Sequence, residues 1–106
     1  MENENELVSF NIIANAGDAR SLAFGALQAA KLGNYEEASE LLKKSDEAAN
    51  LAHKAQTELL FKEANGEKTN VDVLLVHAQD HLMTSMLAVE LIKELIEMYQ
   101  RNKEEK

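Results

Sequence analysis

The sequence predicts an all-α fold, an antiparallel three-helix bundle forming one domain over residues 1–106, and three observations carry that prediction. Proline is absent and glycine occurs four times, so little in the chain interrupts a helix. Ala, Leu, Glu and Lys, which propagate helices well, are abundant. The apolar residues recur at three- and four-residue spacing rather than alternating, and at 45% of the chain they suffice for a core.

The first helix is expected over about residues 6–32, ending at Gly33, because a glycine just past a helix accepts the left-handed conformation that closes it. A second helix follows over about 34–65. Asn34 is placed to cap it and Glu37 to reach back in a capping box. Its stripe of Ala38, Leu41, Leu42, Ala48, Ala49, Ala52, Ala55 and Leu59 keeps helical spacing, and Asn65-Gly66 closes it. The polar stretch that follows is a short connection. Thr69 or Asn70 is then expected to cap a third helix reaching about residue 102.

Composition removes several classes of function. The formal charge of -8 has the wrong sign for a nucleic-acid or anionic-membrane binder. No cysteine is available for disulfides, a thiolate nucleophile or a cysteine zinc site. The acidic opening Met-Glu-Asn-Glu-Asn-Glu is unlike a secretory signal and no apolar run is long enough to span a membrane, so a cytoplasmic protein with no membrane insertion is expected.

Two local patterns are weaker than they look. Leu32-Gly33-Asn34-Tyr35-Glu36-Glu37-Ala38 resembles a tetratricopeptide turn, but such arrays need repeated copies and none follows. Gly17 and Gly25 form a small-residue strip with Ala14 and Ser21 in the first helix, where each glycine costs roughly 0.5–1 kcal/mol against alanine. Close approach by another backbone is the expected return.

The third helix carries two apolar faces at about 100° per residue. Leu75, Ala78, Leu82, Met86, Val89 and Ile96 make one, and Val73, Leu87, Leu91, Leu95 and Met98 make the other, with Asp80 and Thr84 in its midst. Gln79, Glu90, Glu94 and Glu97 are left for a narrow polar arc. One subunit needs a single stripe, so the second predicts self-association with cyclic symmetry. Copies of Asp80 meeting on an axis would repel unless protonated or bound to a hard cation such as magnesium; at the rim of the face Asp80 would simply meet water.

His77 and His81 stand one turn apart beside that face. Three chemistries suit them: a metal site, a nucleophilic imidazole fit for phosphoryl relay, or an ordinary surface pair. The metal reading lacks the HExxH glutamate and a third ligand. The relay reading needs only a neutral imidazole lone pair.

The stretch VDVLLVHAQDHLMTSMLAVELIKELIEMY resembles the third helix of the enzyme IIA family of bacterial lactose/cellobiose-type phosphotransferase systems. The segment from Ile12 to Ser21 is similar to that family's first helix, and the resemblance extends over nearly the whole chain. It implies that His77 receives a phosphoryl group from the phosphocarrier HPr and passes it to a cysteine of the cognate IIB component, with the membrane IIC permease contacted only indirectly. It also implies a homotrimer with a divalent cation, Mg2+, held on the three-fold axis by Asp80. His81 could donate a hydrogen bond to the phosphoryl oxygens or tune the imidazole, or merely pack. Leu74, Val76, Ala78, Met83 and Met86 would supply apolar docking surface. A histidine phosphotransfer domain of two-component signalling would show an HxxKG pattern, where this chain has Gln79-Asp80-His81; a non-catalytic helical adaptor is the remaining alternative.

Overall fold

The computed structural model describes residues 4–105. Three helices follow one another, α1 (Glu4–Lys31), α2 (Tyr35–Ala64) and α3 (Val73–Glu105), in a rod of 57 × 24 × 19 Å. The all-α, three-helix expectation holds. The helices are not equal partners: α1 packs along both neighbours, whereas α2 and α3 touch each other little.

Alanine explains why α1 can occupy the middle. Ala16, Ala19, Ala23, Ala26 and Ala30 are buried along it, and Ala38, Ala48, Ala49, Ala52 and Ala55 face it from α2. With side chains this small, the helices approach closely enough to exclude water without large residues on both sides. Larger side chains come chiefly from α3, where Leu75, Leu82, Val89, Ile92 and Ile96 are buried, and from Ile12 on α1, which is wholly buried. Full burial of an Ile side chain contributes roughly 1.5–3 kcal/mol. Ser45 crosses the α1–α2 contact and donates its hydroxyl to the Ala19 carbonyl at 2.7 Å.

Both glycine-closed ends form as the spacing predicts. Gly33 has φ +83°, the Asn34 amide donates to the Ala29 carbonyl at 2.8 Å and the Gly33 amide to Ala30 at 3.0 Å. Gly66 at φ +89° repeats the arrangement, with the Glu67 amide on Lys62 and its own on Glu63.

The starts of α2 and α3 differ from expectation. Asn34 makes no side-chain cap hydrogen bond, because its backbone is already committed to closing α1. Neither Thr69 nor Asn70 caps α3; the Thr69 amide donates instead to Glu63 Oε2 at 3.2 Å. Asp72 takes the role, its Oδ1 accepting from the Leu75 amide at 2.9 Å, so α3 starts at Val73. The strip of Ala14, Gly17, Ser21 and Gly25 also departs from expectation: Ala14 and Ser21 are exposed, a Cβ placed on Gly17 would meet nothing within 4 Å, and one on Gly25 would meet the Leu41 side chain at 3.7 Å rather than a backbone. The close backbone approach is made by the buried alanines on the opposite side of α1.

Candidate functional site

Asp72 sets the register of the site. Once its carboxylate caps α3, His77, Asp80 and His81 fall on the second and third turns, with the Val76 amide already donating to the Asp72 carbonyl at 3.1 Å. The inward residues of those turns, Ala78 and Leu82, are buried in a cluster with residues of α1 and α2, and Leu75 on the turn before is buried too. His77 and Asp80 are consequently exposed, and His81 is half-buried at the flank.

The two imidazoles are brought together. Their ring centroids lie 4.6 Å apart with the planes at 82°, an edge-to-face contact. Asp80 lies outward, its backbone carbonyl accepting from Thr84 Oγ1 at 2.8 Å. Among the described residues, no group of three His, Cys, Asp or Glu side chains gathers within one subunit to hold a metal ion.

The outer face of α3 is apolar as expected. Val73, Leu87, Leu91, Leu95 and Met98 are all exposed, Val73 to 86%. Asp80, Thr84, Leu87 and Leu91 stand alternately four and three residues apart, the spacing of a coiled-coil seam, with His77 at the edge of that face. Of the five apolar residues the sequence assigns to docking around His77, Val76 and Met83 are exposed. Ala78 is fully buried and Leu74 and Met86 are partly buried, so the docking surface is narrower than the five residues the sequence suggests.

Gln79 does not belong to the polar arc. It turns toward α2, where its amide and that of Gln56 exchange two hydrogen bonds of 2.7 Å each. A second polar link joins the same helices further along, between Lys93 Nζ and Asp46 Oδ1 at 2.7 Å. Sequence spacing had no means of pairing Gln56 with Gln79, because the register of α2 against α3 is set through α1.

The family profile described as "PTS system, Lactose/Cellobiose specific IIA subunit" matches residues 7–100. The chain belongs to this family. As a IIA component it is a phosphoryl carrier, a relay member of a sugar phosphotransferase system. It is 51% identical to the lactose-specific EIIA component of Streptococcus mutans over 92% of this chain and 94% of the relative. The cellobiose-specific enzyme IIA of Bacillus anthracis superposes with a TM-score of 0.95 at 47% identity, covering 100% of this chain and 97% of the other. A IIA(chitobiose) chain solved with HPr, from the N,N'-diacetylchitobiose branch of the Escherichia coli system, gives 0.81 at 48% identity, covering 96% of this chain and 99% of the other. Among the described residues of this IIA chain, no helix is long and apolar enough to cross a membrane.

Proposed function

We propose that His77 is the phosphoryl carrier, accepting the group from phospho-HPr and delivering it to the cysteine of a IIB component during sugar uptake. The observation that carries this is an exposed imidazole on a capped, rigid helix, ringed by exposed Val76 and Met83 and in edge contact with a second imidazole. Likeness to a IIA chain solved with HPr supports HPr as the donor.

In the first transfer a ring nitrogen of His77 attacks phosphorus in line as the bond to the HPr donor breaks; in the second the cysteine sulfur of the IIB component attacks and that ring nitrogen is the leaving group. Charge spreads over the phosphoryl oxygens in between, so the protein mainly positions and stabilises. α3 positions His77, and a ring N–H of His81 stabilises the oxygens. Donor and acceptor use the same imidazole and therefore the same footprint in turn. Both exchanges take place in the cytoplasm.

The assembly is a homotrimer, supported by the seam on the outer face of α3. An apolar strip of this extent on a single thin subunit is most simply covered by copies of itself. In that arrangement the three copies of Asp80 converge on the axis. A carboxylate oxygen is a hard donor suited to Mg2+, and Asp80 is exposed and unobstructed. A bound divalent cation would neutralise the facing carboxylates, and one carboxylate from each copy would hold it.

Incubation with phosphoenolpyruvate, enzyme I and HPr is expected to place acid-labile phosphate on the wild type and none on His77→Ala. Equal labelling of both would overturn the assignment.

A further inference from the structure

Of the buried serines, Ser45 and Ser85 lie on opposite sides of α1, and Ser85 is the one whose hydroxyl has no partner. Ser45 on α2 donates to the Ala19 carbonyl at 2.7 Å, while Ser85 on α3 is 1% exposed and its Oγ meets no hydrogen-bonding group. Burying an unpartnered hydroxyl forfeits hydration for nothing in return. Alanine would fill the same space without that cost, as Ala78 does two turns earlier on the same buried side.

Ser85 lies one turn beyond His81, which lies one turn beyond His77. Side chains on a helix lean back toward its N-terminus onto the preceding turn. The three therefore form a row along one flank of α3, with Ser85 at the buried end, His81 half-buried and His77 exposed. The rings of the two histidines already touch.

We propose that Ser85 is a positioning residue for phosphoryl transfer: its hydroxyl, unpartnered as the side chain stands, turns about its Cα–Cβ bond to donate to the inward ring nitrogen of His81. A neutral imidazole has one acceptor nitrogen and one N–H. Engaging the acceptor from the buried side keeps the proton on the outward nitrogen, where it meets the phosphoryl oxygens on His77. The row then works as a tautomer selector, comparable to the second partner that fixes the ring of a metal-bound histidine. This inference rests on His77 as the carrier and on His81 as the group beside it.

The test uses the full chain with Ser85→Ala and Ser85→Thr. Nitrogen-15 NMR of the His81 ring at one fixed pH is expected to show a single dominant tautomer in the wild type and a mixture in Ser85→Ala. Transfer from phospho-HPr should slow about two- to tenfold in Ser85→Ala, the scale of one hydrogen bond between uncharged groups. Its KM for HPr and its melting temperature should not fall, and Ser85→Thr should restore the wild-type tautomer and rate. An unchanged His81 tautomer and rate in Ser85→Ala would overturn the proposal. A wild-type His77 that takes no phosphate would instead defeat the carrier reading, and the NMR comparison would still decide whether Ser85 holds His81.

Discussion

The imidazole rings of His77 and His81 meet edge to face, their centroids 4.6 Å apart and their planes at 82°. One turn of α3 therefore sets the proposed carrier imidazole beside a second ring, whose N–H is the proposed donor to the phosphoryl oxygens. His81→Ala should still be phosphorylated on His77, but more slowly. A hydrogen bond to a charged group contributes roughly 1.5–3 kcal/mol, or about ten- to a hundredfold in rate. Quenched-flow transfer from phospho-HPr measures it, and an unaltered rate would remove His81 from the mechanism.

The outer face of α3 offers a test of assembly that leaves the subunit core alone. Leu87 and Leu91 are both more than half exposed, so Leu87→Glu with Leu91→Glu should leave the helical signal intact. Sedimentation equilibrium should find trimers in the wild type and monomers in the double variant. A monomeric wild type would refute the trimer.

Asp80 should make the assembly cation-dependent. Chelation of divalent ions is expected to lower the melting temperature of the wild type, because three facing carboxylates then lose their counter-charge. In Asp80→Leu the melting temperature should rise above that of the chelated wild type and ignore added Mg2+. A chelator response equal in both proteins would argue against Asp80 as the ligand.

The Gln56–Gln79 exchange should behave as a pair. Gln56→Leu leaves the part-buried amide of Gln79 without its partner, which costs about 1 kcal/mol, toward the low end because solvent can still reach it. Adding Gln79→Leu should recover much of that loss. A denaturant-melt double-mutant cycle reads the coupling directly, and strict additivity would show that the pair contributes nothing.

Gly17 inside α1 and Gly33 just past its end should respond to alanine in opposite directions. Gly17→Ala meets open space in mid-helix and should stabilise the subunit by about 0.5–1 kcal/mol. Gly33→Ala must hold φ +83° with a Cβ and should cost about 1 kcal/mol. Chemical denaturation of both variants checks the pair of signs.

How far the sequence could be read differs by residue, for physical reasons. The helices, the glycine closures at Gly33 and Gly66, and the two faces of α3 were legible because each depends on periodicity or on backbone chemistry within a few residues. His77, Asp80 and His81 were legible as neighbours for the same reason, since one helix carries all three. Asp72 was also within reach, as an aspartate directly before the apolar run, but Thr69 and Asn70 offered the same cap chemistry and only the fold chose between them.

The sequence by itself determined the elements and the order of functional groups along α3. Tertiary structure decided what those groups face. That α1 lies between α2 and α3, that Gln79 leaves the solvent arc for Gln56, and that Ser85 is buried without a partner all depend on which helix lies alongside which. Those relations join residues far apart in the chain, and they follow from close packing of small side chains, to which no local pattern gives access.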